Sequence, residues 1–103
     1  MICALTVRQL KPGTFEDFRS AFMRYANPDS LPEQWVRFDM VRNTENPDEV
    51  ICFGFFDGTA EDLRSDPGAD EYRRQQESIA PFVESVGADG FFEVVEEHVA
   101  APH

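Results

Sequence analysis

The chain has 103 residues, and its 20 Asp and Glu residues against 9 Lys and Arg give a net charge of -11. This length predicts one domain, residues 1–103, with a modest hydrophobic core. The acidity disfavours binding to nucleic acid and to anionic membranes, because both are negatively charged. No apolar stretch approaches the roughly 20 residues that span a bilayer.

The two cysteines, Cys3 and Cys52, lie in strand-like segments and lack the paired spacing of a disulfide framework. We therefore predict reduced thiols and a cytoplasmic location. The first residues, MICALTVRQL, alternate like a strand and lack a basic start, so no signal peptide is predicted.

The first elements are a strand and an aromatic helix. Alternation predicts a strand over Ile2–Leu10. After the break at Lys11-Pro12-Gly13, Thr14 is the expected N-cap of a helix, and Asp17 completes a weak capping box. Asn27-Pro28 is expected to end this helix, because a residue before proline avoids the α region. The helix presents one aromatic stripe: Phe15, Phe18, Phe22 and Tyr25.

Two further strands, Trp35–Arg42 and Val50–Phe56, are joined by a short polar link. This arrangement predicts an antiparallel hairpin. The register that keeps both faces consistent pairs these residues: Trp35 with Phe56, Arg37 with Gly54, Phe38 with Phe53, and Met40 with Ile51.

The second half of the chain predicts two helices and a last strand. A short helix is expected over Thr59–Ser65, with Thr59 and Asp62 as a capping box, before a break at Asp66-Pro67-Gly68. A longer helix is expected over Asp70–Val86. That helix contains Pro81, where we expect a kink or a restart. The fourth strand is expected over Gly90–His98.

The resulting order, β-α-β-β-α-β, predicts a ferredoxin-like α+β fold. Its four-stranded antiparallel sheet has the expected spatial order 4-1-3-2, with helices on one face. The predicted faces leave several large apolar side chains on the side without helices, and a homodimer that packs sheet against sheet would bury them. These side chains are Trp35, Cys52, Phe56, Phe91 and Val95.

Four stretches cover most of the chain: VRQLKPGTFEDFRSAF, ICFGFFDGTAEDL, SDPGADEYRR and IAPFVESVGADGFFEVV. In these stretches the chain resembles the dimeric α+β barrel superfamily, and within it the antibiotic-biosynthesis-monooxygenase-like proteins. The resemblance implies a homodimer whose sheets face each other and a ligand site between sheet and helices. It implies activities such as cofactor-free oxidation of quinol-like aromatics, haem degradation or small-molecule isomerisation.

Histidine positions argue against haem degradation. Haem-degrading members of that family use a histidine in the helical region after the third strand. This chain has only His98 and His103, and both follow the long predicted helix. The chain also lacks paired histidines, a CxxC motif, a phosphate-binding glycine loop and a serine-nucleophile motif.

The resemblance thus implies a monooxygenase-like enzyme that acts on a small aromatic or polyketide-like substrate with O₂ and no cofactor. Such a site must bind a ring, stabilise an anion and exclude water. Arg8, Tyr72 and Trp35 are the catalytic candidates. The candidates for ligand binding are Gln9, Tyr25, Arg37, Phe53 and Phe55.

Each candidate also has a structural interpretation. Trp35 could anchor the dimer interface, and the tyrosines could be core rings with wet hydroxyls. Arg8 and Arg37, expected opposite the main apolar face, could pair with Asp39 or Glu93. The alternative function is therefore a non-catalytic homodimer that binds a small molecule or serves as a scaffold.

Overall fold

The computed structural model describes residues 1–25, 32–64 and 69–101, and the backbone alone for residues 69–71. Within these ranges the elements follow the predicted order. They are β1 (Ile2–Leu10), α1 (Phe15–Met23), β2 (Trp35–Arg42), β3 (Glu49–Phe56), α2 (Ala60–Arg64), α3 (Ala69–Ile79) and β4 (Val83–Glu93). A 3₁₀ turn, Ala80–Phe82, joins α3 to β4.

The strands form one antiparallel sheet in the order β2-β3-β1-β4. The predicted ferredoxin-like α+β fold and the predicted strand order are therefore confirmed. Helices α1 and α3 pack on one side, the helix-covered face, to which the even-numbered residues of β1 belong. The odd-numbered residues of β1 belong to the other side, the open face.

The core lies between the sheet and α1. Phe18 and Phe22 of α1 are both buried, as their spacing predicts, and their rings lie 5.6 Å apart. Gln75 of α3 donates a hydrogen bond to the carbonyl of Phe22 over 3.1 Å, which ties the two helices together. The buried core residues are Leu10, Phe18, Ala21, Phe22, Val50, Cys52 and Ile79.

The register of the hairpin differs from the prediction after its first pair. Trp35 lies opposite Phe56 as expected, but Arg37 lies opposite Phe55 and Phe38 opposite Gly54. The ladder shifts between Trp35 and Arg37, where β2 contains one extra residue. Because a shift of one residue exchanges the two faces, Phe53 moves from the predicted partner of Phe38 to the open face.

The predicted face assignment is also wrong, because the helices cover the side of β3 and β4 that was expected to be open. Cys52 and Phe56 are buried on the helix-covered face. Trp35 packs edge-on against Phe56 at 5.3 Å, and Phe91 lies opposite Ala4 on that same face. Val95 lies beyond the end of β4. The open face is nevertheless apolar, with a different set of residues: Cys3, Leu5, Val7, Val41, Ile51, Phe53, Phe55 and Phe92.

The long predicted helix is too long, and the last strand starts earlier than predicted. Helix α3 ends at Ile79, and Pro81 lies in the 3₁₀ turn. Proline has no N–H to continue an α-helix. Val83 already pairs with Leu10, so Val83 and Val86 belong to β4 and not to a helix.

The two predicted capping boxes have different outcomes. Thr14 makes no side-chain cap; its hydroxyl donates to the Lys11 carbonyl over 2.7 Å. The Thr59–Asp62 box is confirmed, with reciprocal hydrogen bonds of 3.0 and 3.1 Å. The predictions at Asn27-Pro28, Asp66-Pro67-Gly68 and His103 lie outside the described residues. Across the described ranges, none of the helices has the length and apolar character of a membrane span.

Candidate functional site

Arg8 is a buried cation with no counter-charge among the described side chains. It lies on the helix-covered face of β1 and is 2% exposed. Its guanidinium carbon lies 5.8 Å from the ring centre of Phe18 and 5.7 Å from that of Phe22. None of the ion pairs between described side chains involves Arg8, and its Nη1 has no hydrogen-bond partner. Because a buried unpaired charge is destabilising, Arg8 is the candidate functional residue of this face.

Helix α3 supplies the polar partner of Arg8. Tyr72, Gln75, Gln76 and Ile79 recur at helical spacing on one side of α3. Gln76 Oε1 accepts a hydrogen bond from Arg8 Nη2 over 3.2 Å. Gln76 Nε2, like Arg8 Nη1, is shielded from solvent and has no partner. The side of α3 that faces the sheet therefore carries an amide at the position that meets Arg8.

A pocket of about 240 Å³ lies beside this pair. Its lining residues are Arg8, Gln76, Ile79, Ala80, Val83 and Val86. An apolar cavity of about 150 Å³ is large enough for benzene, so this space is suited to one or two aromatic rings. Apolar walls with a few converging polar groups are typical of small-molecule sites.

Polar groups lie next to this pocket on β1 and β4. The Thr6 hydroxyl donates a hydrogen bond to Asp89 Oδ1 over 2.9 Å, and this residue pair lies next to the Arg8–Val86 pair in the sheet.

Tyr72 of α3 is half exposed. Partial burial and the Asp89 carboxylate raise the pKa of Tyr72, and the Arg8 guanidinium opposes this effect. Tyr72 therefore keeps its proton at neutral pH and is available as a hydrogen-bond donor.

Cys52 lies near Arg8 but is an unsuitable nucleophile. Burial raises the pKa of Cys52 to about 11, although the Arg8 guanidinium acts in the opposite direction. The thiol is therefore protonated at neutral pH, and the reactive species of cysteine is the thiolate. Cys3 lies on the opposite face of the sheet, and both cysteines are free.

The structure brings only some of the predicted site residues together. Arg8 lines the pocket, and Tyr72 lies near enough for the guanidinium to oppose the rise in its pKa, although Tyr72 is not among the pocket-lining residues. Trp35 lies on the same face but on edge strand β2, opposite Phe56 and in line with the start of β1. Its indole covers Gly54, and it does not line the pocket.

Four predicted ligand-binding residues lie on the open face, away from the pocket: Gln9, Arg37, Phe53 and Phe55. Arg37 pairs with Asp39 over 2.7 Å, which was the structural alternative for it. Gln9 accepts from Asn46 over 3.0 Å. Tyr25, which follows α1, is not among the pocket-lining residues. The prediction that Arg8 lies opposite the main apolar face is wrong.

Sequence reasoning missed Gln76, Thr6, Asp89 and the two valines of β4. The signal for Gln76 was available, because a glutamine interrupts an otherwise apolar helical stripe. The valines were missed because the helix was extended past Pro81. Among the described side chains, no group of three or more His, Cys, Asp or Glu is arranged to hold a metal ion.

No family model and no curated protein matches the sequence of this chain. A solved structure from Nitrosomonas europaea, whose name places it among the antibiotic biosynthesis monooxygenases, matches with a TM-score of 0.76. It is 14% identical, over 93% of this chain and 100% of that chain. The chain has the fold of the antibiotic biosynthesis monooxygenases.

Two further structures support this assignment of the fold. SnoaB, a cofactor-independent oxygenase from Streptomyces nogalater, matches with a TM-score of 0.72 and 14% identity, over 93% of this chain and 94% of that chain. Rv0793 from Mycobacterium tuberculosis matches with a TM-score of 0.74 and 12% identity, over 95% of this chain and 98% of that chain. The resemblance noted in the sequence is thereby confirmed at the level of the monooxygenase fold.

Proposed function

We propose that this protein oxidises a small phenolic aromatic with O₂, without a cofactor, in the pocket beside Arg8. The observation that carries the proposal is the buried guanidinium of Arg8, which has no ion-pair partner among the described side chains, at the wall of a mostly apolar pocket. The fold adds support, because SnoaB, which shares it, is a cofactor-independent oxygenase.

The proposed reaction is balanced without an external reductant. A phenol and O₂ give a quinone and water: one oxygen atom enters the ring, and the other leaves as water with the two hydrogens lost by the phenol. All the electrons that reduce O₂ come from the substrate. The protein therefore has to favour the phenolate, hold it in place and keep bulk water away.

The residues around the pocket are suited to these tasks. A guanidinium beside a bound phenol favours the ionised form of that phenol. Ile79, Val83 and Val86 provide apolar contacts for the ring. Tyr72, which keeps its proton, can donate a hydrogen bond at the rim. We assign no catalytic role to Trp35, because it lies at the other end of the sheet.

Oxygen consumption tests the proposal. A panel of hydroquinones and naphthols is offered to the wild type, to Arg8→Met and to Arg19→Met. Arg19 is the matched control, because it is exposed on α1 and pairs only with Glu16 at 3.8 Å. We expect Arg8→Met to lose roughly a hundredfold to a thousandfold in kcat/KM, as for loss of one oxyanion donor. Arg19→Met should retain wild-type activity.

Thermal denaturation shows whether Arg8→Met is folded. Retained activity in a folded Arg8→Met variant would overturn the role of Arg8. If the wild type consumes no oxygen across the panel but is stabilised by one of its compounds, the protein is a non-catalytic small-molecule-binding protein, the alternative function.

We also propose a homodimer that forms through the open face. Apolar side chains run across all four strands of this face, and a monomer rarely leaves such an area in water. Sedimentation at micromolar concentration should give twice the monomer mass. Phe55→Lys should give a monomer, whereas Val36→Lys, at an exposed position of the β2 irregularity, should remain dimeric. A monomeric wild type would refute this assembly.

A further inference from the structure

The Arg8–Gln76 pair leaves one donor unused on each residue. Arg8 Nη2 donates to Gln76 Oε1 over 3.2 Å, whereas Arg8 Nη1 and Gln76 Nε2 are buried without a partner. Nη1 shares a carbon with Nη2, and Nε2 shares a carbon with Oε1. Both unused donors therefore flank the same hydrogen bond, within two residues that line the pocket.

The orientation of the Gln76 amide follows from its partner. The guanidinium has donors only, so the amide oxygen faces Arg8 and the amide nitrogen is left for another acceptor. One cationic donor and one neutral donor thus lie close together. This combination matches a group that offers an ionised oxygen and a second acceptor oxygen near it.

We propose that the ligand of this pocket carries such a pair of neighbouring oxygens, one of them ionised, and that Gln76 selects for the second oxygen. The inference rests on the proposed function for the ring and its phenolic oxygen, and it narrows the substrate class. Two chemical groups offer this pair: an aryl carboxylate, and a phenolate with an acyl group at the ortho position.

Selectivity follows from the cost of unmet polar groups. A phenol with a single oxygen, or with its oxygens far apart, would leave the Gln76 amide nitrogen buried without a partner. Sites built around a polar contact reject analogues that lack it by large factors. The adjacent-oxygen ligand should therefore bind more tightly than an isomer of identical composition.

The test is a binding experiment without oxygen, so that turnover does not enter. The probes are an ortho-acetyl naphthol, its isomer with the acetyl group on the distal ring, and a naphthoate, at a pH at which each is ionised. Affinities are measured by calorimetry for the wild type, Gln76→Leu and Gln34→Leu. Gln34 is an exposed glutamine before β2 and serves as the matched control.

We expect the wild type to prefer the ortho isomer over the distal isomer by roughly tenfold, as for leaving one buried donor without a partner. Gln76→Leu should lose this preference, and Gln34→Leu should keep it. A parallel loss of naphthoate binding in Gln76→Leu would extend the recognised group to carboxylates, whereas unchanged naphthoate binding would restrict it to ortho-acyl phenols.

A second variant, Gln76→Glu, shows whether the effect of Gln76→Leu arises from the lost donor or from a folding defect. Gln76→Glu keeps the size of the side chain but replaces the donor with a negatively charged acceptor that can pair with Arg8, so it should weaken binding of all three probes. Equal affinity of the wild type for the two naphthol isomers, or a preference that survives in Gln76→Leu, would overturn the inference. Neither result depends on oxygen uptake, so failure here is distinguishable from failure of the proposed reaction.

Discussion

Arg8 and Arg37 both lie in strands of one sheet, on opposite faces, and their surroundings differ in every respect that matters for a cation. Arg37 is exposed and forms an ion pair with Asp39 over 2.7 Å. Arg8 is buried among aromatic rings, with a glutamine as its hydrogen-bonded neighbour. A paired cation in water needs no further explanation. A buried cation with no counter-charge among the described side chains supports our proposal of a ligand that supplies the charge.

The apolar residues of the two faces differ as well. On the helix-covered face the core is closed by α1, and Leu10, Phe18 and Val50 are fully buried. On the open face Leu5, Phe53 and Phe55 are only half-buried. The centre of the helix-covered face is therefore buried within one chain, although Val86 and Phe91 in β4 are about half exposed, and we expect the open face to be covered by another copy.

The largest expected effect on stability comes from a comparison of two leucines of β1, one on each face of the sheet. Leu10→Ala removes a fully buried side chain and should lower the free energy of unfolding by about 2–5 kcal/mol. Leu5→Ala, on the open face, should cost less within one chain but should weaken the dimer. Urea denaturation at several protein concentrations measures both contributions.

The concentration dependence is the diagnostic part of that measurement. The loss in Leu10→Ala should be present at every concentration, whereas the loss in Leu5→Ala should depend on concentration, as for any residue at a subunit interface. Identical, concentration-independent losses in the two variants would contradict the distinction between a closed face and a shared one.

The second prediction concerns the stability of the two arginine sites. Arg8→Met replaces an unpaired buried charge by an apolar side chain of similar length, so the protein should be as stable as the wild type or more stable by up to about 4 kcal/mol. Arg37→Met removes an exposed ion pair and should cost no more than about 1 kcal/mol. Chemical denaturation gives both values.

A clear loss of stability in Arg8→Met would mean that its contacts with the rings of Phe18 and Phe22 outweigh the cost of burying its charge. Arg8 would then be a structural residue. Increased stability together with lost activity would identify Arg8 as a position at which function and stability conflict.

The element order and strand order could be predicted because their signals are local. The alternation of apolar and polar residues predicts β1, and the spacing of the aromatic residues predicts α1. Residues that interrupt regular structure, such as Lys11-Pro12-Gly13, indicate where one element ends and the next begins. The hairpin register could not be predicted, because one extra residue after Trp35 decides it and leaves no local pattern. The end of α3 was misjudged because Val83 and Val86 fit a helical stripe as well as a strand.

The site was predicted less well than the fold. Arg8 was selected as a cation in a strand, but its face depends on which side of the sheet the helices cover, and this is a property of the whole fold. Its partner Gln76 is separated from it by most of the chain. Phe53 and Phe55 were assigned to ligand binding because of the predicted register, and the shift in that register moves them to the open face.

The third prediction compares the two cysteines. Burial raises the pKa of Cys52 from 9.0 to about 11. Below pH 9 the thiol is protonated in both states. Between pH 9 and pH 11 the unfolded chain releases this proton while the folded chain keeps it, so stability falls as pH rises, by up to about 3 kcal/mol.

Denaturation curves across this pH range check the prediction. Cys52→Ala should lose most of the decline relative to the wild type, whereas Cys3→Ala, on the open face, should retain it. A decline of equal size in Cys52→Ala and the wild type would show that other groups, Tyr72 among them, control the alkaline transition.

The smallest expected effect concerns two strand glycines, again on opposite faces. A Cβ at Gly54 would lie 2.9 Å from Cζ3 of Trp35 and 3.3 Å from the Arg37 carbonyl, so Gly54→Ala should destabilise the protein by about 1–3 kcal/mol. At Gly90 the nearest atom, in the Phe92 ring, lies at 3.7 Å, which is ordinary contact. Gly90→Ala should therefore be neutral or slightly stabilising.

Trp35 fluorescence and oxygen uptake complete this comparison. In Gly54→Ala the indole must move, so its emission should change, whereas kcat/KM should stay close to that of the wild type because Trp35 lies away from the pocket. A large loss of activity in a folded Gly54→Ala variant would indicate that Trp35 does contribute to the reaction. Unchanged activity would mean that Trp35, in the edge strand β2, serves only to cover the backbone of β3 at Gly54.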